Sequence, residues 1–192
     1  KVEDRLRNII FFGPPGAGKG TQAKIISTYL KLPHLSTGEI LRSKITQKDQ
    51  IALELKEIMD SGKLVSDEIL NQIVAEKIST DCEDGFILDG YPRTLYQANF
   101  LNNLLENKNY KLNHIFNIDL SFDILKKRIL KRSTEENRED DNASVIKTRF
   151  NEYNKTTKPV SDYYKKDFNE IYHDIDGNDQ IEKITNKIKQ IL

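Results

Sequence analysis

The sequence predicts an α/β fold in which one parallel β-sheet is flanked by helices. Short apolar runs alternate with longer segments of helical periodicity. A glycine-rich loop separates the first apolar run from the first helical segment, and the 192 residues suit one compact domain. Because the sheet is expected to be parallel, ligands should bind beyond the carboxyl ends of its strands.

Five apolar runs are expected to form the strands. The first, residues 9–12, consists of isoleucine and phenylalanine and stops at Gly13, which is typical of a buried strand in a parallel sheet. The second run is very short. The predicted strands cover residues 9–12, 33–35, 85–89, 113–119 and 169–176.

Helical patterns fill the intervals between the strands. The helix after the glycine-rich loop has Ala23, Ile26 and Leu30 on one face. Residues 38–66 are helical without a strand, which indicates an inserted helical flap. Residues 133–141 are polar and charged, and by themselves they predict a solvated loop between helices. The predicted helices cover residues 18–30, 67–79, 94–107, 122–131, 142–164 and 181–191.

The composition restricts the classes of partner. The 30 basic and 30 acidic residues cancel, so no net charge attracts nucleic acid or anionic lipid. No apolar run is long enough for a transmembrane helix. Cys82 is the single cysteine, which excludes an internal disulfide and a cysteine-based zinc site. We therefore expect a cytoplasmic protein that binds neither nucleic acid nor membrane.

A phosphate-binding loop lies between the first predicted strand and the first helix. In Gly13-x-x-x-x-Gly18-Lys19 the glycines let backbone N–H groups turn toward phosphate oxygens, and the helix N-terminus and Lys19 add positive charge. This spacing predicts phosphate binding but does not identify a reaction. The expected binding residues of the loop are Gly13, Pro15, Gly16, Ala17, Gly18, Lys19, Gly20 and Thr21.

Several motifs together resemble the nucleoside monophosphate kinase family. The loop has Gly20 where many phosphate loops have a magnesium-binding serine or threonine, and this variant is typical of the family. The resemblance covers residues 8–177 and points to adenylate kinases with a short lid. The other matching motifs are Leu-Ser-Thr-Gly-Glu-Ile-Leu-Arg at 35–42, Gly-Lys-Leu-Val at 62–65, Asp-Gly-Tyr-Pro-Arg-Thr at 89–94 with Gln97, and Arg-Glu-Asp-Asp at 138–141 with Arg149.

The resemblance implies a three-layer fold with a five-stranded parallel sheet of order 2-3-1-4-5. It also implies a single kinase domain that acts as a monomer, with a monophosphate-binding flap at about residues 37–66 and a short lid at about residues 133–141. Both segments would close over the substrates and exclude water from the transferring group. The core would comprise residues 1–36, 67–132 and 142–192.

Six arginines match family positions, and the resemblance gives them roles in phosphoryl transfer. Such catalysis rests on positioning and electrostatic stabilisation, and the planar arginine fork can hold two phosphate oxygens at once. Taken alone, Arg128 and Arg132 could instead form a solvated basic face. The implied catalytic residues are Lys19, Arg93, Arg128, Arg132, Arg138 and Arg149. The implied contacts of AMP are Thr37, Arg42, Val65, Gly90, Arg93, Gln97, Arg138 and Arg149, and those of ATP beyond the loop are Arg128, Arg132 and Gly177.

Two acidic residues are expected near the Mg²⁺ that accompanies ATP. Asp89 ends a predicted strand beside the loop, where its carboxylate can hold magnesium-bound waters, although it could also cap a turn. Glu39 stands where the family usually has aspartate, and the resemblance implies a second water-mediated contact there. Asp140 and Asp141 would brace the closing arginines or cap the following helix. No structural zinc is expected.

Thr37 and Gln97 favour AMP as the acceptor. The resemblance places Thr37 beside the acceptor base, where uridylate/cytidylate kinases typically have alanine, and it assigns Gln97 hydrogen bonds to adenine. A carboxamide both donates and accepts, which suits adenine. Near Gly177, the expected contact of the ATP adenine, Asp179 and Gln180 depart from the usual Lys-Pro of the family. The implied reaction is reversible transfer from ATP to AMP, giving two ADP.

Two alternatives remain open at the level of sequence, and a third is excluded by its motif. A kinase of the same fold could act on UMP or CMP, and a protein that binds nucleotides without turnover could serve as a scaffold. A GTPase would need an Asn-Lys-x-Asp motif, and residues 107–110 and 154–157 both lack its aspartate. His34, His114 and His173 show no pattern of general-base catalysis and are expected to be structural.

Overall fold

A computed structural model describes residues 7–60, 65–136 and 143–192 and confirms the predicted α/β fold. Its five strands form one parallel sheet of order 2-3-1-4-5, as the resemblance implied. The strands are β1 (Arg7–Phe12), β2 (His34–Ser36), β3 (Gly85–Asp89), β4 (His114–Asp119) and β5 (Tyr172–Asp176). In the register of the sheet, Asp89 at the end of β3 pairs with Phe11 on one side and Ser36 on the other, so the carboxyl ends of these three strands meet.

Helices connect the strands at nearly the predicted positions. The region predicted as a helical flap contains two helices, and the described part of the chain has nine α-helices in all. The last strand begins at Tyr172, because the three residues before it form a 3₁₀ turn, Asn169–Ile171, that the apolar pattern did not distinguish from a strand. The helices are α1 (Lys19–Leu30), α2 (Thr37–Thr46), α3 (Gln50–Asp60), α4 (Asp67–Asp81), α5 (Leu95–Asn107), α6 (Phe122–Glu136), α7 (Ala143–Glu152), α8 (Lys158–Asp167) and α9 (Ile181–Ile191).

The central strands β1 and β3 are buried on both faces, which explains why they are largely apolar rather than alternating with polar residues. The edge strand β5 is more polar and only partly buried. Side chains along β1 point alternately to the two faces. Ile10 and Phe12 belong to one hydrophobic cluster, which includes residues of α4, α5 and α8. Ile9 and Phe11 belong to the other, which includes residues of α1 and α9. The central strand is thereby fixed, and the loop that follows it begins from a rigid base.

A π-helical segment, Tyr153–Thr157, interrupts what the sequence predicted as one helix over residues 142–164. The interruption lies just before Pro159, which has no N–H group and whose ring would clash with the carbonyl of Lys155 in a regular α-helix. A wider turn accommodates the proline, and the N–H of Lys158 donates to the carbonyl of Tyr153, five residues earlier. The chain therefore continues as a helix from α7 into α8 but with a changed register.

His114 and His173 form a close pair on β4 and β5, with Nδ1 of His114 3.4 Å from Nε2 of His173. Burial lowers the pKa of both rings, and for His114 the neighbouring His173 and Arg7 lower the pKa further. The structural role expected for these two histidines remains a prediction. The folded state favours two neutral rings, so the unfolded chain takes up protons first as the pH falls.

We expect this pair to make the protein less stable in mild acid. Its contribution to stability should be present above the usual histidine pKa of about 6.5 and should be lost as the pH falls below that value. Thermal melts at pH 7.5 and 5.0 can be followed by circular dichroism. The melting temperature of His114→Asn should fall less between these pH values than that of the wild type. An equal or larger loss in the variant would contradict the assignment.

Two further observations concern the chain as a whole. Within the described residues, none of the helices is both long and apolar enough to cross a membrane. The single thiol, Cys82, is buried under α4, and burial raises its pKa to about 11. A thiol with so high a pKa is protonated at neutral pH and is therefore a poor nucleophile.

Candidate active site

A cleft of about 490 Å³ opens at the carboxyl ends of β1 and β3. This is the edge at which ligands bind in parallel sheets. The cleft brings together the loop after β1, the turn after β3 and one face of the α7–π segment. Six of the predicted site residues line it: Gly13, Pro15, Lys19, Gly90, Arg93 and Arg149.

The loop after β1 has the conformation that a phosphate-binding site requires. Gly16 and Gly18 have φ angles of 86° and 94°, in the left-handed region that side chains disfavour. Gly18 caps α1 without a side chain, and the first turn of α1 has no acidic residue. The first N–H groups of a helix have no partner within it, so this end of α1 can accept an anion, with Gly20 and Thr21 exposed beside it.

Lys19, which lines the cleft, forms a polar cluster with Asp89 and His34. Nζ of Lys19 lies 2.7 Å from Oδ1 of Asp89, and Nε2 of His34 lies 3.1 Å from Oδ2. Burial would raise the pKa of Asp89, but the hydrogen bond from His34 and the charge of Lys19 outweigh it and hold that pKa below its usual range. Asp89 is therefore an ionised carboxylate at neutral pH, although it is only 7% exposed.

The donor set around Asp89 fits a metal ion held through water. Oδ1 has the charge of Lys19 beside it but no well-directed hydrogen bond from the described residues. A Cβ atom at Gly20 would lie 3.5 Å from Oδ2, so glycine keeps this side of the carboxylate open. Glu39 is exposed in the first turn of α2. Residues 7–60, 65–136 and 143–192 contain no group of three or more metal-ligating side chains.

The turn after β3 is built around the carbonyl of Gly90. Nε of Arg93 donates to this oxygen at 2.8 Å, and Oγ1 of Thr37 donates to it at 3.4 Å. The φ angle of Gly90 is 84°, and a Cβ atom there would lie 2.9 Å from Oγ1 of Thr37. Glycine is thus required both by the backbone and by the close approach of the threonine. Two of the predicted acceptor residues, Thr37 and Arg93, thus both contact a third, Gly90.

Gln97 is buried directly behind this turn. Its Oε1 accepts from the backbone N–H of Arg93 at 2.7 Å, and its Nε2 donates to Oδ1 of Asp67 at 3.0 Å. An uncharged carboxamide has two N–H groups and two lone pairs. One N–H and one lone pair therefore remain for a ligand, and the predicted contact of Gln97 with adenine depends on them.

The other predicted residues lie around the cleft rather than in its wall. Nη2 of Arg128 donates to the carbonyl of Gly177 at 3.0 Å. A Cβ atom at Gly177 would lie 3.3 Å from the carbonyl of Ala17, so these residues adjoin the phosphate loop. Arg42 is exposed and its guanidinium folds over the first turn of α2, 3.3 Å from the Cβ position of Gly38. Val65 packs against the core.

Some predicted residues lie outside the part of the chain that the structure describes. The side chain of Arg132 and all of Arg138, Asp140 and Asp141 belong to this group. Arg138, Asp140 and Asp141 fall within the predicted lid, residues 133–141, and Arg132 directly precedes it. Their roles remain those that the family resemblance implies.

The cleft also contains residues that the sequence did not single out. Thr148, Glu152 and Thr156 line it together with Tyr153 and Thr157. The first three are spaced four residues apart, beside Arg149, and so form a polar stripe on one helical face. This four-residue spacing of polar side chains was the feature of the sequence that could have identified this wall of the cleft. His34 was also missed as a partner of Asp89, because their contact joins two strands that are far apart in the sequence.

Known proteins similar to this chain share one description. A family model described as adenylate kinase matches residues 11–169. The chain is 42% identical to an adenylate kinase of Leptospira biflexa over 184 residues, which are 95% of this chain and 98% of the relative. It is 44% identical to one of Prochlorococcus marinus over 184 residues, with 96% and 97% covered. It is 41% identical to one of Rhizobium meliloti over 191 residues, with 96% and 98% covered.

Proposed function

The chain belongs to the adenylate kinase family and is an ATP:AMP phosphotransferase, and we propose that its two nucleotides meet in the cleft between the phosphate loop and the Gly90 turn. The observation that carries this proposal is that Lys19 and Arg93 line the same cleft. Lys19 belongs to the loop that binds phosphates, and Arg93 belongs to the turn after β3, around Gly90, which we call the acceptor turn. A phosphoryl group between them faces positive charge from both sides.

On the donor side, the ATP phosphates bind at the start of α1. The backbone N–H groups of the loop and the uncapped first turn of this helix face them. Lys19 exchanges its contact with Asp89 for phosphate oxygens, where it stabilises the charge that develops during transfer. Gly177, which adjoins Ala17, contacts the adenine, and Arg128 holds the Gly177 carbonyl in place.

On the acceptor side, Arg93 holds the phosphate of AMP. Its Nε is fixed by the Gly90 carbonyl, so that its two terminal nitrogens remain for the ligand as a planar pair. Gln97 contacts the adenine with the second N–H of its Nε2 and the second lone pair of its Oε1. The first of each is used by Asp67 and by the backbone N–H of Arg93. Thr37 lies beside Gly90 and closes the base pocket. Arg42 and Val65 join this site from the flap.

Closure of the flap and the lid completes the site. Arg149 lines the cleft, and we expect Arg132 and Arg138, by the family resemblance, to reach the transferring group after closure. Arginines that contact the transferring group only after closure stabilise the transition state more than the ground state, and this raises kcat. Closure also excludes water, which would otherwise accept the phosphoryl group.

Mg²⁺ bound with ATP would supply charge neutralisation at the phosphates. Asp89 and Glu39 would hold it through water, in agreement with the ionised state of Asp89 and the open face at Gly20. Phosphate oxygens and water would supply the other contacts of the ion. Asp89 would help to hold it there, and His34 fixes the Asp89 carboxylate by a hydrogen bond.

The proposal predicts a strong preference for AMP as acceptor. ADP formation from ATP and Mg²⁺ with AMP, CMP or UMP can be followed in a coupled assay, and AMP should give the highest kcat/KM. Omission of Mg²⁺ serves as the control for background turnover. A higher kcat/KM with CMP or UMP would overturn the assignment of the acceptor site.

A further inference from the structure

Asp67 contacts the acceptor turn from outside the cleft, and the proposed function gives it no role. It is the first residue of α4 and directly follows the predicted flap. We propose that Asp67 is a positioning residue that fixes the orientation of the Gln97 amide and thereby sets the selectivity for the acceptor base. This inference rests on the proposed function, because it presupposes that Gln97 contacts the base of the acceptor.

Both oxygens of the Asp67 carboxylate accept hydrogen bonds from the start of α5. Oδ1 accepts from Nε2 of Gln97 at 3.0 Å, and Oδ2 accepts from Oγ1 of Thr94 at 3.0 Å. The threonine oxygen in turn accepts from the backbone N–H of Gln97 at 3.1 Å. Asp67 and Thr94 thus hold both the backbone and the side chain of Gln97.

The amide of Gln97 can satisfy its neighbours in only one of its two orientations. The backbone N–H of Arg93 requires an oxygen at 2.7 Å, and the Asp67 carboxylate requires a donor at 3.0 Å. Rotation of the amide by 180° would place N–H against N–H and oxygen against carboxylate. Two buried polar contacts would then be lost at once, since Gln97 is only 1% exposed.

The base of α4 that carries Asp67 is itself held in place. Oγ of Ser66 accepts from the N–H of Ile69 and caps the helix. Asn71, one turn along α4, accepts a buried hydrogen bond from the hydroxyl of Tyr91 at 2.6 Å. Because Tyr91 belongs to the acceptor turn, α4 and this turn form one connected unit. A carboxylate on such a support can impose an orientation on its partner.

A fixed amide discriminates between bases of the same shape. Adenine presents a donor, its amino group, next to an acceptor nitrogen, whereas hypoxanthine presents an acceptor oxygen next to an N–H. The free N–H and lone pair of a fixed Gln97 can match one of these patterns but not both. AMP and IMP differ in this pattern but not in the size of the base, so they are suitable probes.

Asp67→Asn tests the inference, because asparagine has the same shape but can present either an oxygen or an N–H to Gln97. Only the Arg93 N–H then favours the original orientation of the amide. We expect kcat/KM for AMP to fall about tenfold while that for IMP is unchanged or higher, since one charged hydrogen bond is replaced by a neutral one. The effect should be in KM for AMP, with KM for ATP unchanged. Glu68→Gln is the matched control, because it removes the same charge from the first turn of α4 and should leave the AMP/IMP ratio unchanged.

Gln97→Ala distinguishes the two ways in which the test can fail. If this variant lowers the AMP/IMP ratio of kcat/KM and Asp67→Asn does not, the inference about Asp67 is wrong and the proposed role of Gln97 stands. If neither variant lowers the ratio, the role of Gln97 is wrong and the inference falls with it. Should the asparagine variant fail to fold, Asp67→Ser can replace it, because serine suits a helix start but is too short to hold Gln97.

Discussion

Replacing Lys19 with methionine should lower kcat/KM for ATP by about 10²–10³-fold, the loss expected when one preorganised cation or donor is removed from a charged transition state. Methionine preserves most of the length and the apolar body of the side chain. The loss therefore reports the charge that Lys19 places at the base of the cleft, 2.7 Å from Asp89.

Steady-state kinetics at saturating AMP would measure this effect. Lys24→Met is the matched control, since Lys24 is exposed on the same helix, α1, and its loss should change the rate less than twofold. Circular dichroism should show that both variants are folded, because His34 still donates to Asp89 in the first variant. A Lys19→Met enzyme with more than a tenth of the wild-type kcat/KM would contradict the role proposed for this residue.

Replacing Arg93 with alanine should lower kcat/KM for AMP by about 10³-fold, which is the lower end of the range known for arginines that contact a transferring phosphoryl group. Two consequences of the structure lead to this expectation. The variant loses the planar donor pair for the phosphate, and the Gly90 carbonyl loses the donor that fixes the turn at 2.8 Å.

Arg93→Lys separates charge from geometry. Lysine keeps the positive charge but cannot donate to the Gly90 carbonyl and to phosphate as a rigid fork, so we expect an intermediate activity closer to that of the alanine variant. KM for ATP should change little in either variant, because the phosphate loop is untouched. Lys111→Ala, at an exposed position far along the chain from the cleft residues, is the control. Wild-type kinetics with AMP in Arg93→Ala would refute the proposed acceptor site.

The fold could be predicted well because its signals are local. The strands β1 and β3 are largely apolar runs followed by glycine, at Gly13 and Gly90, and strands buried on both faces leave little ambiguity in such runs. The order of the strands in the sheet could not be predicted from the pattern of any one segment. It was predicted from the family resemblance. The phosphate loop combined both sources, since its glycines and lysine are adjacent in the sequence.

What sequence could not predict depends on contacts between distant residues. Nothing near His34 indicates that β2 places it 3.1 Å from Asp89, 55 residues later in the chain. The partners of Gln97 were hidden in the same way, since Asp67 lies 30 residues before it. The π-helical segment Tyr153–Thr157 was not predicted for a different reason. Pro159 marked the place in the sequence, but a proline inside a helix can end it, kink it or widen one turn.

The pairing of Lys19 with Asp89 determines which anions can compete for the phosphate loop. An anion that binds to the phosphate loop through Lys19 must displace the Asp89 carboxylate, which lies 2.7 Å from the lysine Nζ. Chloride or free phosphate brings only negative charge, so that binding it would take from Asp89 the neighbouring charge of Lys19 without replacing it. ATP that arrives with a divalent cation brings a counter-charge for each partner. We therefore expect chloride and free phosphate to be weak competitors of ATP at this loop.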